Sequence, residues 1–242
     1  MTRKPRFNTV NIPRYITQLG INRQACFFSD EDYEFYLECL YDAAERWQCE
    51  IHAYTLLPNH IHILLTPRVK NGISKCMQSV NRRYVQYINS IKNRKGTLWA
   101  GRYTESLVDD EYLLDCYRFI EQRPVVTKLV NNSLDYKWTS HSAHVNGEVN
   151  NNLIEHSKYI ELDVSLSAKK TAYSAFFKNK QSDKRMEMIR KAIRYGHIIG
   201  DPESINDVES IFLIDKKPKK RGRPRKHFSA MTEAKLSFTN KQ

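Results

Sequence analysis

The run Pro58-Asn59-His60-Ile61-His62-Ile63-Leu64-Leu65 sets two histidines two residues apart inside an apolar stretch. On a β-strand, residues i and i+2 point to the same face. Two imidazoles then stand about 7 Å apart on that face, close enough to share one divalent cation. Ile61 faces the other way, into a core. The same spacing also describes two ordinary sheet histidines held by hydrogen bonds. Two ligands do not complete a site, so a metal reading needs a third donor from another element.

Charge points to the partner class. The 242 residues carry 39 Lys and Arg against 27 Asp and Glu, a net of +12 with a pI near 9.4. Residues 216–226, KKPKKRGRPRK, hold eight of those cations and no acid. Such a tail favours a polyanion, most simply nucleic acid. Within it, Arg221, Arg223, Arg225 and Lys226 make an AT-hook-like core, RGRPRK. Pro224 keeps the segment extended and Gly222 allows close approach, so the arginines can lie in a narrow A·T minor groove. A polybasic tail that holds phosphates without choosing sequence is the alternative. Arg3, Lys4 and Arg6 form a smaller basic arm.

Composition excludes other classes. Hydrophobic residues make up 40% and aromatics 11%, enough for a real core. No run approaches the ~18 apolar residues of a membrane span. The basic start, MTRKPRFNTV, has no apolar stretch behind it and does not read as a secretory signal. Cys26, Cys39, Cys49, Cys76 and Cys116 are odd in number and form no CxxC pair, which argues against a disulfide framework and fits a reducing cytoplasm.

The elements that must position the histidines follow from periodicity. Residues 15–28 read as a first strand with its turn. Ser29 and Asp30 can cap a helix from Glu31, in which Tyr33, Tyr36, Leu37, Leu40, Tyr41 and Ala44 recur at helical spacing. Residues 51–57 and 60–66 read as a hairpin broken at Pro58-Asn59. A long helix spans 73–93, a fourth strand 103–108, and a helix 111–122 that Pro124 stops. The economical packing is α+β: a ferredoxin-like four-stranded antiparallel sheet with helices on one face. Helical patterns at 167–178 and 184–197 form an appendage, and 216–242 read as disordered. The expected organisation is a core over 1–130, a helical extension over 131–215 and the basic tail.

Several motifs in order then resemble one family. PNHIHILLTP, the preceding IHAY, the later GTLWAGRY-TESLVDDEYLL and the opening GINRQACFF are similar to REP-associated tyrosine transposases, relatives of the single-tyrosine, histidine–hydrophobic–histidine (HUH) transposases of bacterial insertion sequences, the IS200-like group. The likeness is dense over about 1–150 and looser through KWTSHSAHVNG to GRPRK. It implies an HUH core in which His60, His62 and one helical polar side chain hold Mg²⁺ or Mn²⁺. It implies a tyrosine on the helix after the fourth strand that attacks a phosphodiester of single-stranded DNA and forms a 5′-phosphotyrosine. The implied substrate is a hairpin-bearing strand, typically a repetitive extragenic palindrome.

The chain departs from that pattern at the nucleophile. The family helix ends in YIELNP, but this chain reads Phe119-Ile120-Glu121-Gln122-Arg123-Pro124. Phe119 has no hydroxyl, and Arg123 stands where an asparagine would approach the metal. Tyr117 is the nearest substitute, yet it lies about 200° around the helix from Phe119 and shares an apolar stripe with Leu113 and Ile120. The expectation is therefore a DNA-strand transferase or a catalytically impaired descendant that only binds hairpin DNA. Arg23, Arg82, Arg83 and Arg102 are the DNA-contact candidates of the body. Tyr84 and Tyr87 read as helix packing, and Trp99 as either a base-stacking platform or a core residue. The expected partner is single-stranded or hairpin DNA with no membrane, the expected place a nucleoid-associated cytoplasmic pool, and a homodimer is left open.

Overall fold

Pro58 and Asn59 turn the chain between two strands whose side chains are buried almost throughout, and the rest of the fold is built on that hairpin. The computed structural model describes residues 8–163, 165–179 and 182–201. The arms at 1–7 and 202–242 lie outside them, so the basic arm, the tail and the AT-hook-like residues Arg221, Arg223, Arg225 and Lys226 are not placed. The elements run β1 (Arg14–Leu19), α1 (Asp30–Arg46), β2 (Cys49–Leu57), β3 (His60–Pro67), α2 (Gly72–Ile91), β4 (Thr104–Leu107) and α3 (Leu113–Glu121). Short helices α4 (Arg123–Val126), α5 (His141–Val145) and α6 (Ser157–Ile160) follow, then α7 (Leu166–Lys178) and α8 (Asp183–Tyr195). The four strands pair antiparallel in the order β2-β3-β1-β4, the ferredoxin-like arrangement expected from the sequence. No described helix is long and apolar enough to cross a membrane.

Local chemistry explains the boundaries. Ser29 caps α1, and the Asp32 carboxylate reaches back to accept from the Phe28 and Ser29 amides. Within the 15–28 stretch read as a first strand with its turn, the strand ends at Leu19 and Gly20 leads into a 3-10 turn at 21–23 with Asn22 and Arg23 in the left-handed region (φ 52° and 58°). A Cβ at Gly20 would collide with the carbonyl oxygen of Gln24, so only glycine fits there.

The expectation of helices on one face is corrected. α1 and α2 cover one face, where Ile16, Ile51, Leu56, Ile61, Ile63 and Leu65 pack against Tyr36, Leu40, Met77, Val80 and Tyr84. The other face is covered as well. Tyr15, Ala53 and Leu64 meet Leu113, Cys116, Tyr117 and Ile120 of α3, and Tyr159, Tyr173, Ile189 and Ile193 from beyond residue 150. The reason is visible in β3, where Leu64 sits between Ile63 and Leu65. A strand apolar on both faces needs a layer on both. Tyr117 stacks on Tyr159 with ring centres 5.8 Å apart, so α3 and the C-terminal helices share one cluster.

Candidate nucleic-acid site

β3 delivers both histidines to the α3 face of the sheet. His60 pairs across to Leu19 and Leu57, and His62 to Thr17 and Thr55, so the pair stands on one face of a central strand as the i, i+2 spacing requires. Their ring centres are 4.9 Å apart at 82°. His60 Nδ1 donates to Asn59 Oδ1 at 2.6 Å, leaving its Nε2 lone pair free. The Tyr15 hydroxyl is hydrogen-bonded to His62 Nδ1 at 2.8 Å. His62 Nε2 is buried and has no partner among the described residues. Burial pushes the His60 pKa down to about 4, and the nearby Arg123 adds to the shift. Burial, then His60, then Arg123 hold His62 lower still. Both rings are therefore neutral at pH 7.

Phe119, the position at which the resemblance implies a nucleophile, lies on α3 next to Tyr15. The Phe119 ring packs edge-on against Tyr15, with centres 6.1 Å apart, and Tyr15 in turn bonds His62. Arg123, one helical turn on, lays its guanidinium 5.1 Å from the centre of the Phe119 ring. It is half-buried, and no ion pair to it is present among the described residues. Burial lowers its pKa, with Tyr15 opposing and Arg190 assisting.

Tyr117 points elsewhere. It is wholly buried among His144, Tyr159 and Tyr173, and burial raises its pKa well above the ordinary value. Tyr84 is likewise core, donating to the Cys26 carbonyl at 2.6 Å. Trp99 is 4% exposed and packs on Tyr36 and Tyr84, which makes it a core residue and not a platform.

The basic candidates divide into two groups. Arg23 and Arg102 are exposed on the loops beside the histidine hairpin. The Arg23 carbonyl accepts from Asn59 Nδ2 at 3.1 Å, and the carbonyl of Gly101, next to Arg102, accepts from Gln18 at 2.9 Å. An antiparallel bridge between Gly20 and Trp99 ties these loops together. Arg82 and Arg83 sit on α2, across the sheet from the histidines. Arg83 is engaged by Asp42 at 2.7 Å and Glu38 at 3.2 Å on α1.

Sequence reasoning missed Glu121. Its carboxylate is fully buried and accepts from four side chains: His144 at 2.5 Å, Ser140 at 2.7 Å, and His141 and Tyr173 at 2.8 Å each. Burial alone would raise its pKa, but His144 and His141 override that and hold it well below the usual carboxylate range. The cluster bolts the end of α3 to α5 and α7. The readable sign was His141 and His144, three apart on one helical side.

A metal does not fit the donor set as it stands. The two imidazoles suit a shared cation, and the unpartnered His62 Nε2 is the kind of atom a metal would satisfy. Yet the charge that acts on both imidazoles is the Arg123 cation at the start of α4, and the described residues hold no group of three His, Cys, Asp or Glu side chains able to bind a metal.

Residues 15–123 match the family model described as Transposase IS200 like. No curated protein matches the chain. Among solved structures, a REP-associated tyrosine transposase bound to a REP hairpin overlays with a TM-score of 0.53 at 16% identity, covering 64% of this chain and 93% of that one. A transposase assignment from Deinococcus radiodurans (TM-score 0.36, 19% identity, 50% and 98% covered) and a bacterial tRNA(His) guanylyltransferase-like protein with GTP (TM-score 0.37, 12%, 54% and 72%) overlay too loosely to bear on fold or chemistry.

Proposed function

With residues 15–123 matching the IS200-like transposase family and the fold shared with a REP-associated tyrosine transposase, we propose that this protein binds hairpin or single-stranded DNA and does not form the phosphotyrosine link. The observation that carries the reading is Phe119. Its ring lies against Tyr15 beside the histidine pair, at the place a nucleophilic hydroxyl would be needed, and it has none. Neither neighbouring tyrosine replaces it. Tyr117 is enclosed in the α3–α6–α7 cluster. Tyr15 reaches His62, but it is enclosed on β1, and burial keeps its phenol protonated far above pH 7.

Binding rests on the rim formed by Arg23 and Arg102, on the basic tail and on the overall positive charge. Such binding would hold the protein on the nucleoid. No cleavage step through Mg²⁺ or Mn²⁺ is assigned, since the charge acting on the pair is the Arg123 cation and no group of three His, Cys, Asp or Glu side chains able to hold a metal is present among the described residues.

The test is incubation of the full chain with a hairpin oligonucleotide bearing a single-stranded extension, with and without Mn²⁺. A salt-sensitive shifted complex without a covalent band is the expected result. A covalent protein–DNA band from the unmodified chain would overturn the loss of cleavage, and no binding at moderate salt would overturn DNA recognition itself.

A further inference from the structure

We propose that the C-terminal end of α8 is a strand-holding face, on which Arg190, Lys191 and Arg194 take neighbouring phosphates of the single-stranded extension as it passes Arg102. The inference rests on the DNA-binding reading above and adds a contact outside residues 15–123, the span of the family match.

Two contacts fix where that end lies. The Ser106 hydroxyl donates to the Ala192 carbonyl at 3.1 Å, and a Cβ at Gly196 would stand 3.5 Å from the Thr104 methyl carbon. Ser106 pairs with Tyr15, so α8 lies on the α3 face and points from Ser106 toward Thr104. Thr104 pairs with Thr17, and Thr17 with His62, so the three share one row of the sheet. Two strand spacings, about 10 Å, separate the Thr104 and His62 backbones. Arg102, which is exposed, stands two residues before Thr104. The end of α8, the Arg102 loop and the histidine pair thus occupy one end and one face of the sheet.

The charges of α8 are sorted along its length. Its acids, Asp183 and Glu187, come first. Arg190, Lys191 and Arg194 follow, within about 100° of one another around the axis. All three are exposed, opposite the buried Ile189, Ala192 and Ile193. Arg185 is taken by Asp115 at 2.7 Å, but Lys191 and Arg194 have no ion pair among the described residues. Arg190 meets Glu187 only at 4.0 Å, an exposed pair that contributes little. The Tyr195 ring lies 5.5 Å from the Arg194 guanidinium and restrains it. The helix dipole favours a cation in the last turn, which accounts for Arg194. It falls off too steeply to account for Arg190 and Lys191. Cations on one exposed face, with no acid among them, suit a row of phosphates. A single strand can bend from the sheet onto the helix, whereas duplex DNA is stiff over about 150 base pairs.

The experiment uses the full chain and a hairpin oligonucleotide with a single-stranded extension. Replacing Arg190, Lys191 and Arg194 together by Gln should weaken binding on the order of tenfold at moderate salt. It should lower the slope of log affinity against log salt by about two, from three contacts at about 0.7 each. Arg190→Lys with Arg194→Lys, which keeps the charges, should bind nearly as the wild type does. The control removes the same charge elsewhere, at Arg46, Lys70 and Lys75. These are exposed cations at the opposite end of the sheet, where Cys49 pairs with Pro67. The control should lower the slope by less than half as much. Neutral methylphosphonates placed in turn along the oligonucleotide locate the contact. Those that weaken the wild type and not the triple Gln variant should fall in the extension, adjoining any uncoupled by Arg102→Gln. An unchanged slope in the triple variant would overturn the face and leave the DNA-binding reading standing. So would an equal loss in the control, or uncoupled phosphates confined to the hairpin stem. Failure of the wild type to bind DNA would instead remove the reading beneath it, and the face with it.

Discussion

The Tyr15 hydroxyl and His62 Nδ1 lie 2.8 Å apart, a hydrogen bond between two neighbouring strands that fixes one imidazole of the pair. Tyr15 is 1% exposed and His62 6%, so no water can take over either end. Tyr15→Phe should lower unfolding stability by about 1–3 kcal/mol, the cost of leaving a buried ring nitrogen unpaired. Hairpin affinity should change little. Urea melts and a gel-shift titration check both; a variant as stable as wild type would show that the bond is not formed.

Position 119 should decide cleavage. Phe119→Tyr combined with Arg123→Asn should give Mn²⁺-dependent covalent DNA attachment where the wild type gives none, because strand, helix and pair geometry are already in place. Phe119→Tyr alone should give less, since the Arg123 cation stays beside the pair. Tyr117→Phe should leave the outcome unaltered, given its place among Tyr159, Tyr173 and His144. Wild-type attachment abolished by Tyr117→Phe would make Tyr117 the nucleophile after all.

Glu121 should be a stability determinant. Glu121→Ala removes the acceptor of His141, His144, Ser140 and Tyr173 together. Losing one partner of such a buried charged cluster costs about 3–5 kcal/mol. Glu121→Gln, which keeps shape and some acceptors, should cost less. Thermal denaturation ranks the three proteins, and equal midpoints would refute the ranking.

Acid should destabilise the fold through His52. Its Nδ1 donates to the Ile154 carbonyl at 2.7 Å and its Nε2 accepts from Thr66 at 2.8 Å, which satisfies a neutral ring. Burial pushes its pKa from 6.5 down to about 4. The folded state then binds fewer protons than the unfolded one between those values. His52's contribution is fully present above about pH 6.5 and is lost as pH falls toward 4, on the order of 3 kcal/mol at most. His60 titrates in the same direction. Urea midpoints should decline over that window, and His52→Gln should flatten the decline. A proton titration of the His52 ring near its ordinary value would contradict the argument.

The tail should act on DNA broadly. Residues 216–226 carry eight cations, each phosphate contact adding about 0.7–0.9 to the slope of log affinity against log salt. Deleting 216–242 should lower that slope by several and weaken binding to unrelated sequences alike. An unchanged slope would mean that the tail is not on the DNA.

The sequence alone determined the sheet, because its cues are local. The i, i+2 histidines, the Pro58-Asn59 break, the Ser29 cap and the order of strand and helix periodicities each depend on residues a few positions apart. It also determined that position 119 lacks a hydroxyl. Tertiary structure decided what surrounds those residues. That α3 and helices beyond residue 150 cover the second face follows from apolar surface on both sides of β3, and no single window of the chain reveals which segment will bury it. The Tyr15–His62 bond joins residues 47 apart, and the Glu121 cluster spans up to 52. Trp99 illustrates the limit. An aromatic beside Arg102 reads equally as a base platform or as core, and only the packing of Tyr36 and Tyr84 against it settles the matter. The same holds for Arg83, a basic residue on a helix that reads as a phosphate contact until Asp42 and Glu38 are found opposite it. Composition fixes how much charge a chain carries, but the fold fixes which charges are already neutralised.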